Sequence, residues 1–106
     1  MQMHTYKPTY LHALTRRLFE VSGATNEVAH IVANILVGAN LTGHDSHGVL
    51  RVPTYMHRIS DGLMNAGTEP TVVRESLTTL VLDGHQGPGH LTAYRALNKA
   101  IEKART

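Results

Sequence analysis

Glycines at 23, 43 and 62 punctuate the N-terminal part of this chain, and the segments between them repeat apolar residues every three or four positions. Helices end readily on glycine, which enters the left-handed backbone conformation that a C-terminal cap requires. The spacing therefore predicts consecutive helices joined by tight turns. In the first, from Thr9 onward, Leu11, Leu14, Leu18 and Val21 form one stripe with Arg16, Arg17 and Glu20 outside it, and Gly23 stops it. Thr25 is placed to cap the second and Glu27 sits in its first turn. Its face of Val28, Ile31, Val32, Ile35, Leu36 and Ala39 runs on toward Gly43. The connecting turn over 22–25 is so short that the two helices must pack antiparallel to bury both stripes.

The stretch TGHDSHGVLRVPTYMHRISDG interrupts this pattern and then resumes it. Asp45 or Ser46 reads as an N-cap, and Pro53 excludes one smooth helix. The expectation is a turn over 47–52, a kink, and a second piece that opens at Pro53 and ends near Gly62. Beyond the loop NAGTEP, the β-rich runs TVVRE and TTLVLDG are separated by Ser76 and Leu77 and predict a hairpin. A Gly-rich turn, GHQGPG, leads into a last helix striped by Leu91, Tyr94, Leu97, Ile101 and Ala104. A hairpin needs a further layer to bury its face. The expected fold class is thus mainly α in the N-terminal part and then the start of an α/β core. Residues 1–65 are the helical region; 66–106 are the first strands and helix of a truncated core.

Composition narrows the function. With 42% apolar and 17% charged residues, the chain is neither a disordered tail nor a membrane protein. Its net charge of +2 comes with no basic run longer than Arg16-Arg17 and no interleaved aromatics, which argues against nucleic acid as a partner. There is no cysteine to build a disulfide scaffold, a zinc ribbon or a thiol nucleophile. Without a signal peptide or an apolar span, the expectation is a cytoplasmic protein.

Eight histidines remain to be explained. The densest polar cluster is Gly43-His44-Asp45-Ser46-His47-Gly48, followed by Arg51. If His47 opens a helix, Arg51 lies one turn on and projects from the same face. A guanidinium grips a carboxylate, and a neighbouring imidazole exchanges a proton at an adjacent carbonyl or hydroxyl carbon. A 2-oxo or 2-hydroxy acid offers those groups one bond apart. Ser46 can bond to the imidazole or the substrate oxygen, and Gly48 would let a ligand approach the backbone. Plain capping by Asp45 or Ser46 explains the same residues without chemistry, and caps of this kind are common. A metal held by His44, Asp45 and His47 is a weaker alternative, since no third-ligand pattern accompanies them. His85 and His90 flank the Gly-rich turn. His12, His30 and His57 fall off the apolar stripes and read as solvated, and His4 lies in the terminal segment. The G-x-x-G-x-G order of the turn departs from a dinucleotide fingerprint, and Pro88 removes an N–H donor.

Several segments together resemble one family. They are G-A-T-N-E-V-A, A-N-L-T-G-H-D-S-H-G-V, R-V-P-T-Y and I-S-D-G, then P-T-V-V, L-D-G-H-Q-G-P-G and A-I-E-K-A in matching order. Nearly the whole chain is similar to the N-terminal region of the type 2 malate/L-lactate dehydrogenases, a group that includes ureidoglycolate, sulfolactate and diketogulonate oxidoreductases. The resemblance implies NAD or NADP as cofactor, a small 2-hydroxy or 2-oxo acid as substrate, a core that is not a Rossmann fold, and a homodimer or larger assembly. It implies His47 as proton donor or acceptor, Ser46 assisting it, and Arg51 holding the substrate carboxylate. Cofactor-binding residues are expected beyond Thr106 and no metal is expected. A non-catalytic helical interaction module is the competing expectation.

Overall fold

The computed structural model describes residues 4–105. Helices α1 (Pro8–Val21), α2 (Asn26–Leu41) and α3 (Val52–Ser60) come first, with two short 3-10 turns, Asp45–His47 and Val49–Arg51, between α2 and α3. Strands β1 (Thr71–Glu75) and β2 (Leu80–Asp83) and helix α4 (Gly89–Ala104) follow. This is the expected order of elements.

All three glycine stops take the same form. Gly23, Gly43 and Gly62 each adopt positive φ, and the residue after each donates its N–H back to a carbonyl in the last helical turn: Ala24 to Phe19, His44 to Ala39, Leu63 to Arg58. These are Schellman caps, which satisfy carbonyls a helix end leaves open. At the other end of α2, the Thr25 side chain accepts from the Val28 N–H at 3.2 Å, as expected.

The start of α1 lies beside the end of α2, so the pair is antiparallel, with His12 of α1 bonded to Asn34 of α2 at 2.7 Å. His12 is therefore half-buried between the helices rather than solvated. The buried stripe of α1 also differs from the expected one. Thr15 and Phe19 are buried with Leu11 and Leu18 partly so, whereas Leu14 is 44% and Val21 64% exposed. Both stripes share Leu11 and Leu18 at helical spacing; the larger apolar surface of Phe19 rolls the helix toward its own side. On α2 the core-facing side chains are Val28, Ala29, Ile31, Val32, Ala33, Leu36 and Val37, while Ile35 faces outward.

β1 and β2 are antiparallel, with a bulge between Val72 and Arg74, and the connecting turn spans 76–79, longer than the Ser76-Leu77 turn expected. Ser76 and Thr79 close that turn on each other through backbone and hydroxyl bonds. Helix α4 packs on α2 and β2 and is fastened at two points. Arg95 grips both oxygens of Glu69 and also reaches Glu27 of α2 at 3.1 Å. Lys103 donates to the Glu75 carboxylate at 2.8 Å and to the Ser76 carbonyl at 2.9 Å, and this holds the Glu75 carboxyl below its usual range. Of the α4 stripe only Leu91 is buried; Tyr94, Leu97 and Ile101 are 41%, 59% and 40% exposed.

Leu36 is fully buried at the centre of the core. Leu36→Ala should lower unfolding free energy by about 2–5 kcal/mol, whereas Leu97→Ala on the open face of α4 should cost well under that. Urea denaturation of the two variants measures the contrast.

Candidate active site

Residues 44–51 leave the capped end of α2 and turn back toward α3. Two single turns of 3-10 helix form, closed by bonds from His47 to the His44 carbonyl and from Arg51 to the Gly48 carbonyl. Gly48 separates them at φ −95° and ψ −149°, an extended conformation. The expectation of one helical face carrying His47 and Arg51 is thus corrected, because the extended residue between them breaks the helix. The kink falls at Gly48 rather than at Pro53, which sits in the first turn of α3. Neither Asp45 nor Ser46 is an N-cap; His44 occupies that position and no side chain caps the turn.

Ser46 brings the two groups together instead. Its hydroxyl lies 3.0 Å from His47 Nδ1, and its carbonyl accepts from Arg51 Nε at 2.7 Å. Imidazole and guanidinium are thereby tied to the same residue, one through the side chain and the other through the backbone. With Nδ1 engaged, Nε2 is the ring nitrogen left for exchange with a ligand. A hydroxyl that accepts from Nδ1–H serves both the neutral and the protonated ring, so it keeps proton exchange on Nε2 in either direction of a reaction. Arg51 has no carboxylate partner among the described residues, unlike Arg16, Arg17 and Arg95. With Nε committed, its two terminal nitrogens remain for an incoming carboxylate. Ser46, His47 and Arg51 are all exposed.

The residue that shapes this loop escaped the sequence reading. Asn40, in the last turn of α2, donates from Nδ2 to Asp45 Oδ1 at 2.7 Å and accepts from the Val49 N–H on Oδ1 at 2.9 Å. Its carboxamide fills the space beside buried Gly48, where a Cβ would collide with it. The room left by Gly48 therefore belongs to Asn40 and not to a ligand. An asparagine near a helix end is unremarkable in sequence; nothing in its spacing announced two loop contacts.

The other candidates lie apart. His85 contacts Thr71 Oγ1 at 2.6 Å and sits beside Asp83, while His90 lies edge-on to Tyr55, Nε2 3.4 Å from the phenol oxygen. Among the described residues no three His, Asp or Glu side chains converge on a metal position. In the Gly-rich turn, His85 and Gln86 both take positive φ; the Gly87 N–H closes on the Gly84 carbonyl and the Gln86 carbonyl accepts from Asn65. Those two bonds hold the turn within the fold. Grooves of about 420 and 500 Å³ open between the hairpin and α4 and between α1 and α2, and neither is lined by Ser46, His47 or Arg51.

A family model for malate/L-lactate dehydrogenase matches residues 6–106. The chain belongs to that family. The hydroxycarboxylate dehydrogenase B of Escherichia coli is 34% identical over 101 residues, which is 95% of this chain and 28% of that protein. Among solved structures, the malate dehydrogenase of Entamoeba histolytica superposes with a TM-score of 0.93 at 34% identity, over 98% of this chain and 29% of that one. The sulfolactate dehydrogenase of Methanocaldococcus jannaschii does so with a TM-score of 0.91 at 34% identity, over 94% of this chain and 29% of that one. The chain thus spans under a third of the length of these relatives.

Tyr55 links α1 to α4, tilted against Phe19 on one side and edge-on to His90 on the other. Burial holds the His90 imidazole below its ordinary pKa, and its buried Nδ1 has no hydrogen-bond partner. The folded state therefore favours the neutral ring, and the unfolded chain takes up the proton first as pH falls. Stability should be full above the ordinary imidazole range and decline as pH drops through it. His90→Phe should remove that part of the decline, as read from urea midpoints across pH.

Proposed function

We propose that this chain supplies the proton-transfer and carboxylate-binding groups of an NAD- or NADP-dependent oxidoreductase of small 2-hydroxy and 2-oxo acids. Membership of the malate/L-lactate dehydrogenase family supports the reaction class. The observation that carries the site is the convergence of His47 and Arg51 on Ser46. In this reading the Arg51 terminal nitrogens take the substrate carboxylate and the His47 Nε2 faces the adjacent oxygen. In reduction, protonated His47 gives its Nε2 proton to the ketone oxygen; in oxidation, the neutral ring takes the hydroxyl proton. Ser46 keeps the ring in the tautomer that does this. The cofactor carries the hydride.

In the same reading, residues 1–65 are a helical region and 66–106 the beginning of a catalytic core whose cofactor residues lie in further polypeptide. The open apolar side chains of the hairpin and α4, such as Val73, Val81 and Leu97, are the kind of surface that further polypeptide or a second subunit covers. A homodimer or larger assembly and a cytoplasmic location belong to this proposal. No helix among the described residues is long and apolar enough to cross a membrane.

Turnover of 2-oxo acids with NADH and NADPH tests the assignment. In an enzyme carrying this segment at full length, His47→Ala should lower kcat by about 10²–10⁴-fold. Arg51→Ala should act chiefly on KM, by about 10–100-fold, the loss of a bidentate carboxylate contact. Unchanged turnover in His47→Ala would favour a non-catalytic interaction module instead. The 106-residue chain by itself should show no measurable dehydrogenase activity.

A further inference from the structure

We infer that Asn40 is the positioning residue of this site: it sets where Ser46 and His47 stand by pinning the loop on both sides of them. The inference rests on the catalytic reading of His47 for its effect on turnover, but its geometry stands independently.

Apart from Val49, which packs against the core, the loop has little else to hold it. Asp45, Ser46, His47, Leu50 and Arg51 are exposed, and neither 3-10 turn contains a buried residue. A segment with so few apolar contacts opens at low free energy unless polar bonds fix it. Asn40 provides such bonds through one rigid carboxamide, donating to Asp45 just before Ser46-His47 and accepting from Val49 just after Gly48. Both ends of the four-atom planar group are used, so the separation of residues 45 and 49 is fixed by the width of an amide.

The base of that carboxamide is itself fixed. Asn40 lies on the turn of α2 closed by the Schellman cap, where its own carbonyl accepts from the Gly43 N–H at 3.1 Å. Val37, one turn earlier, is buried. With Val49 packed on the core, this side chain carries the position of the imidazole from the end of α2 to an exposed loop. Gly48 completes the arrangement, since any side chain there would expel the amide. A displacement of about 1 Å in a reacting group can cost on the order of 10²-fold in rate, which is the sensitivity a device of this kind controls.

The donor and acceptor roles can be exchanged. Asn40→Asp alone keeps the acceptor for Val49 but sets two carboxylates against each other. In Asn40→Asp/Asp45→Asn, the new amide at 45 donates to the new carboxylate at 40 and the bond to Val49 is retained. The expected result for Asn40→Asp, and for Gly48→Ala, is a fall in kcat/KM of at least about tenfold in an enzyme carrying this segment. In ¹⁵N spectra of the 106-residue chain, the His47 ring signals should move toward free-histidine values. The double variant should restore both. Wild-type His47 signals in Asn40→Asp would overturn the inference, as would a double variant that regains thermal stability without regaining those signals. Should His47→Ala prove fully active, the catalytic reading fails while the ring signals still decide the role of Asn40.

Discussion

Burial of one face of α2 is the constraint that places the other elements. Phe19 reaches it from α1, Val52 from the start of α3, and Leu91 from α4, and all belong to a single cluster with Val28, Val32 and Leu36. The apolar effect that drives this is non-directional; direction comes from the ends of the helix. At its first turn Glu27 meets Arg95 of α4, and at its last turn Asn40 holds the loop with Ser46 and His47. One helix therefore references both the hairpin region and the candidate site to the same core.

The candidate site is economical in a physical sense. Packing reaches this loop only at Gly48 and Val49, and exposed ion pairs contribute little. The order comes from short-range hydrogen bonds, in which a backbone carbonyl takes one guanidinium nitrogen and a hydroxyl takes one ring nitrogen. Each anchors a side chain by one atom, Nδ1 of His47 and Nε of Arg51, and leaves Nε2 and the terminal nitrogens for the proposed ligand.

Placement of the two polar fasteners of α4 follows a similar logic. Arg95 is only 26% exposed and faces two carboxylates, so its charge is matched. Lys103 closes the hairpin turn from the opposite end of the helix. Between them the outward stripe of Tyr94, Leu97 and Ile101 stays open. The helix is held by polar contacts at its edges while much of its apolar surface remains available.

The sequence alone determined the elements and their ends and pointed to the candidate site. Helical periodicity, Gly23, Gly43 and Gly62, and the Thr25 cap are local effects that depend on residues a few positions apart, and the GHDSHG block marked His47, Ser46 and Arg51. Tertiary structure decided how those residues meet. Leu14 and Val21 lost the interior to Phe19 because two stripes fit the same period and only the partner helix could choose between them. His47 and Arg51 share Ser46 rather than a helix face, because Gly48 is extended around the carboxamide of Asn40, in the last turn of α2. Asn40 and His90 acquire their roles from contacts with Val49 and Tyr55, and such contacts exist only once the core has brought the helix ends and the loops together.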